Sequence, residues 1–215
     1  ALFFMMTGGL VLAADTTEAE PVQAVAAATQ TKAKTAQAAP VQQTYSLDLD
    51  TTKYEKKTMT VDGKKVAFRA YENRVYVAHP VDTTYQSMNI YVPEGYFNGK
   101  TINGYTAKTA PIFLPNTVGG YMPGAPGQPS ENDRMTGGAN AMLVALSKGY
   151  VVAAPGARGR TTQAADGTYT GKAPALIVDM KAAVRYLRHN AGKLPGDTEK
   201  IISNGTSAGG ALLRA

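Results

Sequence analysis

Near its C-terminal end the chain carries Gly205-Thr206-Ser207-Ala208-Gly209-Gly210, a G-x-S-x-G pattern set between the apolar run Ile201-Ile202 and an Ala/Leu-rich stretch. Strand, turn and helix in that order form the context in which this pattern makes a nucleophile elbow. The turn lifts a serine Oγ above the carboxyl end of a sheet, and the flanking glycines let the backbone pass without a Cβ clash. An ordinary glycine-rich turn is the competing reading, since the chain holds 22 glycines in 215 residues. The apolar run before the motif, and the small residues throughout it, favour the elbow. Ser207 is therefore the expected nucleophile.

The remaining composition narrows the class. With 44% hydrophobic residues, 215 residues suffice for one sizeable domain rather than two. The formal charge is +6, but the lysines are scattered. Their densest group, Lys53-Tyr54-Glu55-Lys56-Lys57, is interrupted by a carboxylate, which reads as a solvated strand face rather than a nucleic-acid site. There is no cysteine, hence no disulfide framework and no thiolate metal site, and the two histidines stand far apart in sequence. Neither a metal nor another cofactor is expected.

Residues 1–14 form an apolar run ending Leu10-Val11-Leu12-Ala13-Ala14, shorter than the ~18 residues a membrane span needs. Small residues after such a run predict the back half of a secretory signal peptide, cleaved after Ala13 or Ala14, and so an exported protein without stable membrane insertion. Residues 15–44 are Ala, Thr, Gln, Glu, Lys and Pro with almost no large apolar side chain, a linker unable to bury enough surface to fold. Folded structure is expected over 45–215.

Within that body, 57–61 and 64–71 flank Asp62-Gly63, a hairpin signal. Further strand candidates are 75–78, 87–92, 112–114, 150–154 and 201–202. Residues 139–148 place Ala139, Met142, Leu143 and Leu146 on one helical face and stop at Gly149. Residues 174–191 are the clearest helix, with Pro174 in the first turn, Gly192 after the end, and a stripe of Leu176, Ile177, Met180, Ala183, Val184 and Leu187. Antiparallel strands followed by strand–helix–strand–helix–strand predict an α/β-hydrolase, a mostly parallel sheet flanked by helices and incomplete after the elbow, with its first five strands present. An open nucleophile strand predicts poor folding of these residues alone.

An acyl-transfer site also needs donors for the oxyanion of the tetrahedral intermediate. One is the backbone N–H of Ala208. The other belongs to the loop after the third strand of the fold, here Asn116-Thr117-Val118-Gly119-Gly120-Tyr121-Met122-Pro123-Gly124, where Gly120 is favoured over Gly119. Arg158 and Arg160, near the sheet's carboxyl edge, could bind a carboxylate or phenolate, although arginines so placed more often pin a loop. His79 precedes the nucleophile, His189 lies opposite its helix's apolar stripe, and Asp179 sits at the edge of that stripe. In this fold the triad runs Ser, then Asp or Glu, then His. None of the three suits the order, so the Asp and His are expected beyond Ala215, and these residues alone are expected to be inactive.

The 116–124 loop, Arg158-Gly159-Arg160-Thr161-Thr162, Ile177-Val178-Asp179-Met180-Lys181-Ala182-Ala183, and Leu194-Pro195-Gly196-Asp197 leading to Asn204-Gly205-Thr206-Ser207-Ala208-Gly209-Gly210-Ala211 together resemble bacterial tannases of the lactobacillus and streptococcus type. The resemblance runs from about Lys64 to Ala215, with the motifs in family order. It implies a secreted serine esterase that hydrolyses galloyl esters, with Ser207 as nucleophile, Ala208 and a glycine of the Gly119-Gly120 pair at the oxyanion, and a small phenolic ester as partner. Feruloyl esterases are close relatives. The competing readings are a feruloyl or general carboxylesterase or a peptidase of the same fold, and a non-catalytic hydrolase-like module. Substrate contacts and oligomeric state are left open.

Overall fold

A computed structural model describes residues 43–134 and 137–212. The leader expected at 1–14 and nearly all of the linker expected at 15–44 lie outside the described residues. The body is built on a six-stranded sheet with strands Glu55–Val61 (β1), Lys64–Val75 (β2), Ser87–Pro93 (β3), Pro111–Pro115 (β4), Val151–Pro155 (β5) and Asp197–Asn204 (β6). Their order is β1-β2-β3-β5-β4-β6. The sheet is mixed. β1, β2, β3 and β5 pair antiparallel in turn, while β4 pairs parallel with both β5 and β6.

Local chemistry explains the elements. Asp62 (φ 48°) and Gly63 (φ 73°) both occupy the left-handed region, the two-residue turn whose twist suits a hairpin. The strand expected at 75–78 does not form. β2 instead runs on to Val75 through a register shift between Tyr71 and Arg74, and the chain then leaves the sheet. That one long bulged strand replaces two short ones, and a short 3-10 turn, Glu94–Asn98, follows β3. The first helix, Ala141–Ser147 (α1), starts two residues after its apolar pattern because Asn140 is its N-cap, the side chain accepting the Leu143 N–H at 3.0 Å. The second, Ala175–His189 (α2), follows Pro174 as its N-cap and ends before Asn190, its C-cap, slightly inside the expected 174–191.

Alternation along the central strands sends side chains to two opposite faces. Ile90, Ile112, Leu114, Val151 and Ala153 meet Ala183, Tyr186 and Leu187 of α2. Tyr91, Val152 and Ala154 meet Leu143, Ala145 and Leu146 of α1. The α2 face also buries two polar side chains absent from the apolar stripe, Asp179 and Asn190. Asn190 ties the segment before β1 to the helix end, accepting the Leu49 N–H at 2.8 Å and donating to the Leu47 carbonyl at 2.9 Å. β6 stands at the edge, and Ile202 on it is 43% exposed. The lysines of the 53–57 segment sit beside carboxylates: Lys53 with Asp50, Lys56 with Glu94, and Lys57 with Glu55 and Glu72. Among the described residues no helix is long and apolar enough to cross a membrane.

Burial in the α2 face pushes the Tyr186 phenol up to about 12. A phenol raised above its ordinary value near 10 favours the folded state while it stays neutral. That contribution is whole below pH 10 and is lost as pH rises through 12. Denaturation of the full-length protein should show unfolding free energy falling across this window, with Tyr186→Phe removing about 2 kcal/mol of the fall; an identical slope in the variant would count against the assignment.

Candidate active site

β6 ends at Asn204, and the chain turns through Gly205 and Thr206 into a short helix, Ala208–Ala211 (α3). Ser207 stands between turn and helix with φ 55° and ψ −121°. A non-glycine residue there is strained by roughly 1–3 kcal/mol and persists only where its surroundings over-determine it. The Ser207 side chain does not cap α3. It is exposed at the end of β6 that also carries the carboxyl ends of β4 and β5. Its backbone carbonyl accepts the Ala211 N–H at 3.1 Å, and the Thr206 carbonyl accepts that of Gly209 at 3.0 Å.

The over-determination comes from Asn116, at the end of β4. Its backbone N–H donates to the Asn204 carbonyl at 3.0 Å. Its side-chain Nδ2 donates to the same carbonyl at 3.2 Å and to the Gly209 carbonyl at 3.1 Å. Its Oδ1 accepts the Val118 N–H at 3.3 Å. One amide thus bridges both sides of the turn and the start of the 116–124 loop. The glycines make room for it: a Cβ on Gly205 would lie 2.6 Å from Asn116 Nδ2, and one on Gly209 2.4 Å from its Oδ1.

The loop then makes a tight turn in which Gly120 (φ 57°) and Tyr121 (φ 58°) are both left-handed and the Met122 N–H donates to the Gly119 carbonyl at 2.9 Å. Gly119 and Gly120 are exposed. Among the described residues no acceptor takes the backbone N–H of Gly119, Gly120 or Ala208. Beneath them Val118, Ala157, Leu176, Met180 and Leu212 form a third apolar cluster that joins this loop, the base of α3 and the start of α2.

A second loop, between β5 and α2, is stitched to the first. Gly124 and Ala157 exchange two backbone hydrogen bonds of 3.0 and 2.8 Å, and the Arg160 N–H donates to the Tyr121 carbonyl at 2.8 Å. The backbones pack so closely that a Cβ on Gly159 would fall 2.1 Å from Pro123 N, and one on Gly171 2.0 Å from the Gly159 carbonyl oxygen. Asp179 anchors this loop. Arg158 donates to it from Nε (3.0 Å), Nη2 (2.8 Å) and its backbone N–H (3.0 Å), and Gln86 donates from Nε2 (2.9 Å). Arg158 Nη1 donates to the Thr170 carbonyl at 2.9 Å. The Asp179 carboxylate beside it holds the Arg158 guanidinium above its ordinary range. Arg158 therefore pins a loop. The Arg160 side chain, by contrast, is exposed and meets no acceptor among the described residues.

The two histidines lie away from Ser207. α2 runs back from the carboxyl edge, and His189 is the last residue of that helix, which is ~22 Å long. It is 54% exposed and pairs with Asp48 at 3.4 Å. His79 lies past the end of β2, a strand four places from β6 in the sheet order. Asp179 is 1% exposed and fully engaged by Arg158 and Gln86.

Asn116 was visible in the sequence only as a member of a loop motif; nothing local told that its side chain spans 93 residues to Gly209. Asn116→Ala removes the side-chain donor from the Gly209 carbonyl, while the Asn204 carbonyl keeps the backbone N–H of residue 116, and Asn116→Asp turns a carboxylate toward both. Urea denaturation of the full-length protein should show a loss of about 1–2 kcal/mol for the alanine variant and more for the aspartate; unchanged stability in both would remove Asn116 from this role.

A family model described as BD-FAE, an α/β-hydrolase-type domain, matches residues 122–214. The tannase of Fusobacterium nucleatum is similar at 58% identity and a TM-score of 0.76, over 78% of this chain and 35% of that one. The tannase of Lactobacillus plantarum is similar at 47% identity and a TM-score of 0.69, over 78% and 35% respectively. A tannin acyl hydrolase in complex with ethyl gallate matches at 47% identity and a TM-score of 0.69, over 77% and 36%. No curated protein gives a significant match. The chain thus spans just over a third of the length of these solved relatives. In sequence and in fold alike, this is an α/β-hydrolase chain similar to the bacterial tannases.

Proposed function

We propose that the protein is a serine ester hydrolase acting on galloyl esters, gallotannins and alkyl gallates among them, through an acyl-enzyme on Ser207. The observation that carries the reading is the backbone of Ser207, held at φ 55° and ψ −121° on a strand-to-helix turn of an α/β-hydrolase sheet. Ser207 Oγ attacks the ester carbonyl and the alcohol leaves; water then attacks the acyl-enzyme and the phenolic acid departs. The Ala208 N–H, with that of Gly120 or, second, Gly119, receives the oxyanion; the unengaged donors described above support those roles. The Asp and His of the triad are assigned to residues other than those described, in the order usual for this fold.

The acyl group is read from likeness. One similar structure holds ethyl gallate and another 3,4-dihydroxybenzoate. A feruloyl or general carboxylesterase, a peptidase, and a non-catalytic module are the alternatives. Methyl gallate, methyl ferulate, an acetate ester and a peptide assayed on the full-length protein separate them, with methyl gallate expected to be turned over fastest. Ser207→Ala should lower that turnover by roughly 10⁴-fold or more, and near-normal activity in the variant would refute the nucleophile.

Export belongs to the same proposal and rests on the apolar run ending at Ala14. Protein recovered from culture medium should begin at Ala14 or Asp15 by N-terminal sequencing. Retention inside the cell with the apolar run intact would overturn it.

A further inference from the structure

The geometry points to Tyr121 as a positioning residue, one whose left-handed backbone aims the Gly120 N–H that the proposed reaction uses. Its φ is 58°, and the residue is 48% exposed. The left-handed region crowds a Cβ against the following carbonyl, so glycine, asparagine and aspartate supply most of its occupants and a bulky residue there is an outlier. Burial does not account for it, since half of the residue faces solvent. Strain retained at such a position points to function.

The route from Tyr121 to Gly120 runs through one peptide plane. Gly120 and Tyr121, both left-handed, are the central residues of a four-residue turn that the Met122 N–H closes on the Gly119 carbonyl at 2.9 Å. The Gly119 carbonyl and the Gly120 N–H belong to the same planar trans peptide unit and point in opposite directions. A hydrogen bond that draws the carbonyl into the turn therefore sends the Gly120 N–H outward. No acceptor among the described residues takes that N–H. Glycine enters left- and right-handed turns about equally, so Gly120 does not choose the hand. The hand is set at position 121, where two fixtures act. The Arg160 N–H donates to the Tyr121 carbonyl at 2.8 Å. The Gly159 backbone lies so close that a Cβ on it would fall 2.2 Å from the Met122 carbonyl carbon. The start of the same loop lies against the elbow, since a Cβ on Gly209 would stand 2.8 Å from the Val118 carbonyl oxygen.

Two measurements on the full-length protein test the inference: kinetics with the ester it turns over fastest, and affinity for phenylboronic acid, which forms a tetrahedral adduct on a reactive serine. Tyr121→Val introduces a β-branched residue, for which the left-handed region is a genuine outlier. It should lower kcat about 10²-fold, the loss of one oxyanion donor, with KM within about threefold, and weaken the boronic acid in parallel. Tyr121→Asn removes the ring but accepts the left-handed region. It should recover about tenfold or more of the lost kcat and melt about 2 °C or more above the valine variant. A kcat for Tyr121→Val within threefold of the unaltered protein overturns the inference. So does an asparagine variant as slow as the valine one, which would move the role to the ring. The role rests on the reading of Ser207 above: an unaltered protein that hydrolyses no ester and forms no boronate adduct refutes both, whereas a fully active valine variant refutes the role of Tyr121 alone.

Discussion

The carboxyl edge of this sheet depends on one buried carboxylate. Asp179 projects from α2, yet its hydrogen bonds go to the loop after β5 and to Gln86 ahead of β3. A buried ion pair of this kind adds little net stability over an apolar replacement, but losing one partner strands the other at a cost of about 3–5 kcal/mol. What Asp179 supplies is therefore placement. It fixes Arg158, Arg158 fixes the chain through Gly159, and that chain is the floor on which the Tyr121–Gly124 segment rests. Tyr76 reinforces the same junction by donating to the Gly156 carbonyl at 2.8 Å.

The elbow is a smaller version of the same design. Ser207 carries a strained backbone that a free peptide would relax, and Asn116 with the Val118–Leu212 cluster holds it in place. The constraint is mutual, because the side-chain amide that braces the turn also sets where the 116–124 loop begins. Serine and loop glycines thus share one reference point. Catalysis by fixed dipoles needs donors that do not reorganise when charge appears on the substrate, and a shared brace is an economical way to secure that.

Much of this was legible along the chain. The hairpin at Asp62-Gly63, both helices and the strand-to-helix motif follow from periodicity and turn chemistry, and the resemblance to tannases matched what the comparisons found. The limits were physical. The sequence pattern divides β2 at Tyr71 because a bulge interrupts alternation without ending a strand. Of β6 the sequence pattern reveals only Ile201-Ile202, since its first residues, Asp197 to Lys200, are polar and partly or fully exposed and leave no apolar signature. Asp179 and Asn116 escaped for a different reason. Their roles are set by partners 21 to 93 residues away, and no window on the sequence contains both ends. The anchoring role of Arg158 rather than Arg160 is likewise invisible in the sequence, because two arginines two positions apart differ only in what the fold brings to them.

That distribution of partners bears on the order in which the molecule assembles. The β1–β2 hairpin closes over a two-residue turn and needs nothing beyond its neighbours. The contacts that make the carboxyl edge close loops of tens of residues, and loop-closure entropy must be met before such contacts stabilise anything. Asn116 can reach Gly209 only once β4 and β6 lie side by side, and Gln86 can reach Asp179 only once α2 has settled on the sheet. The serine edge can therefore be completed only on a sheet whose β4 and β6 are already paired. A chain caught midway would have its strands paired and its Ser207 still on an ordinary, unstrained turn.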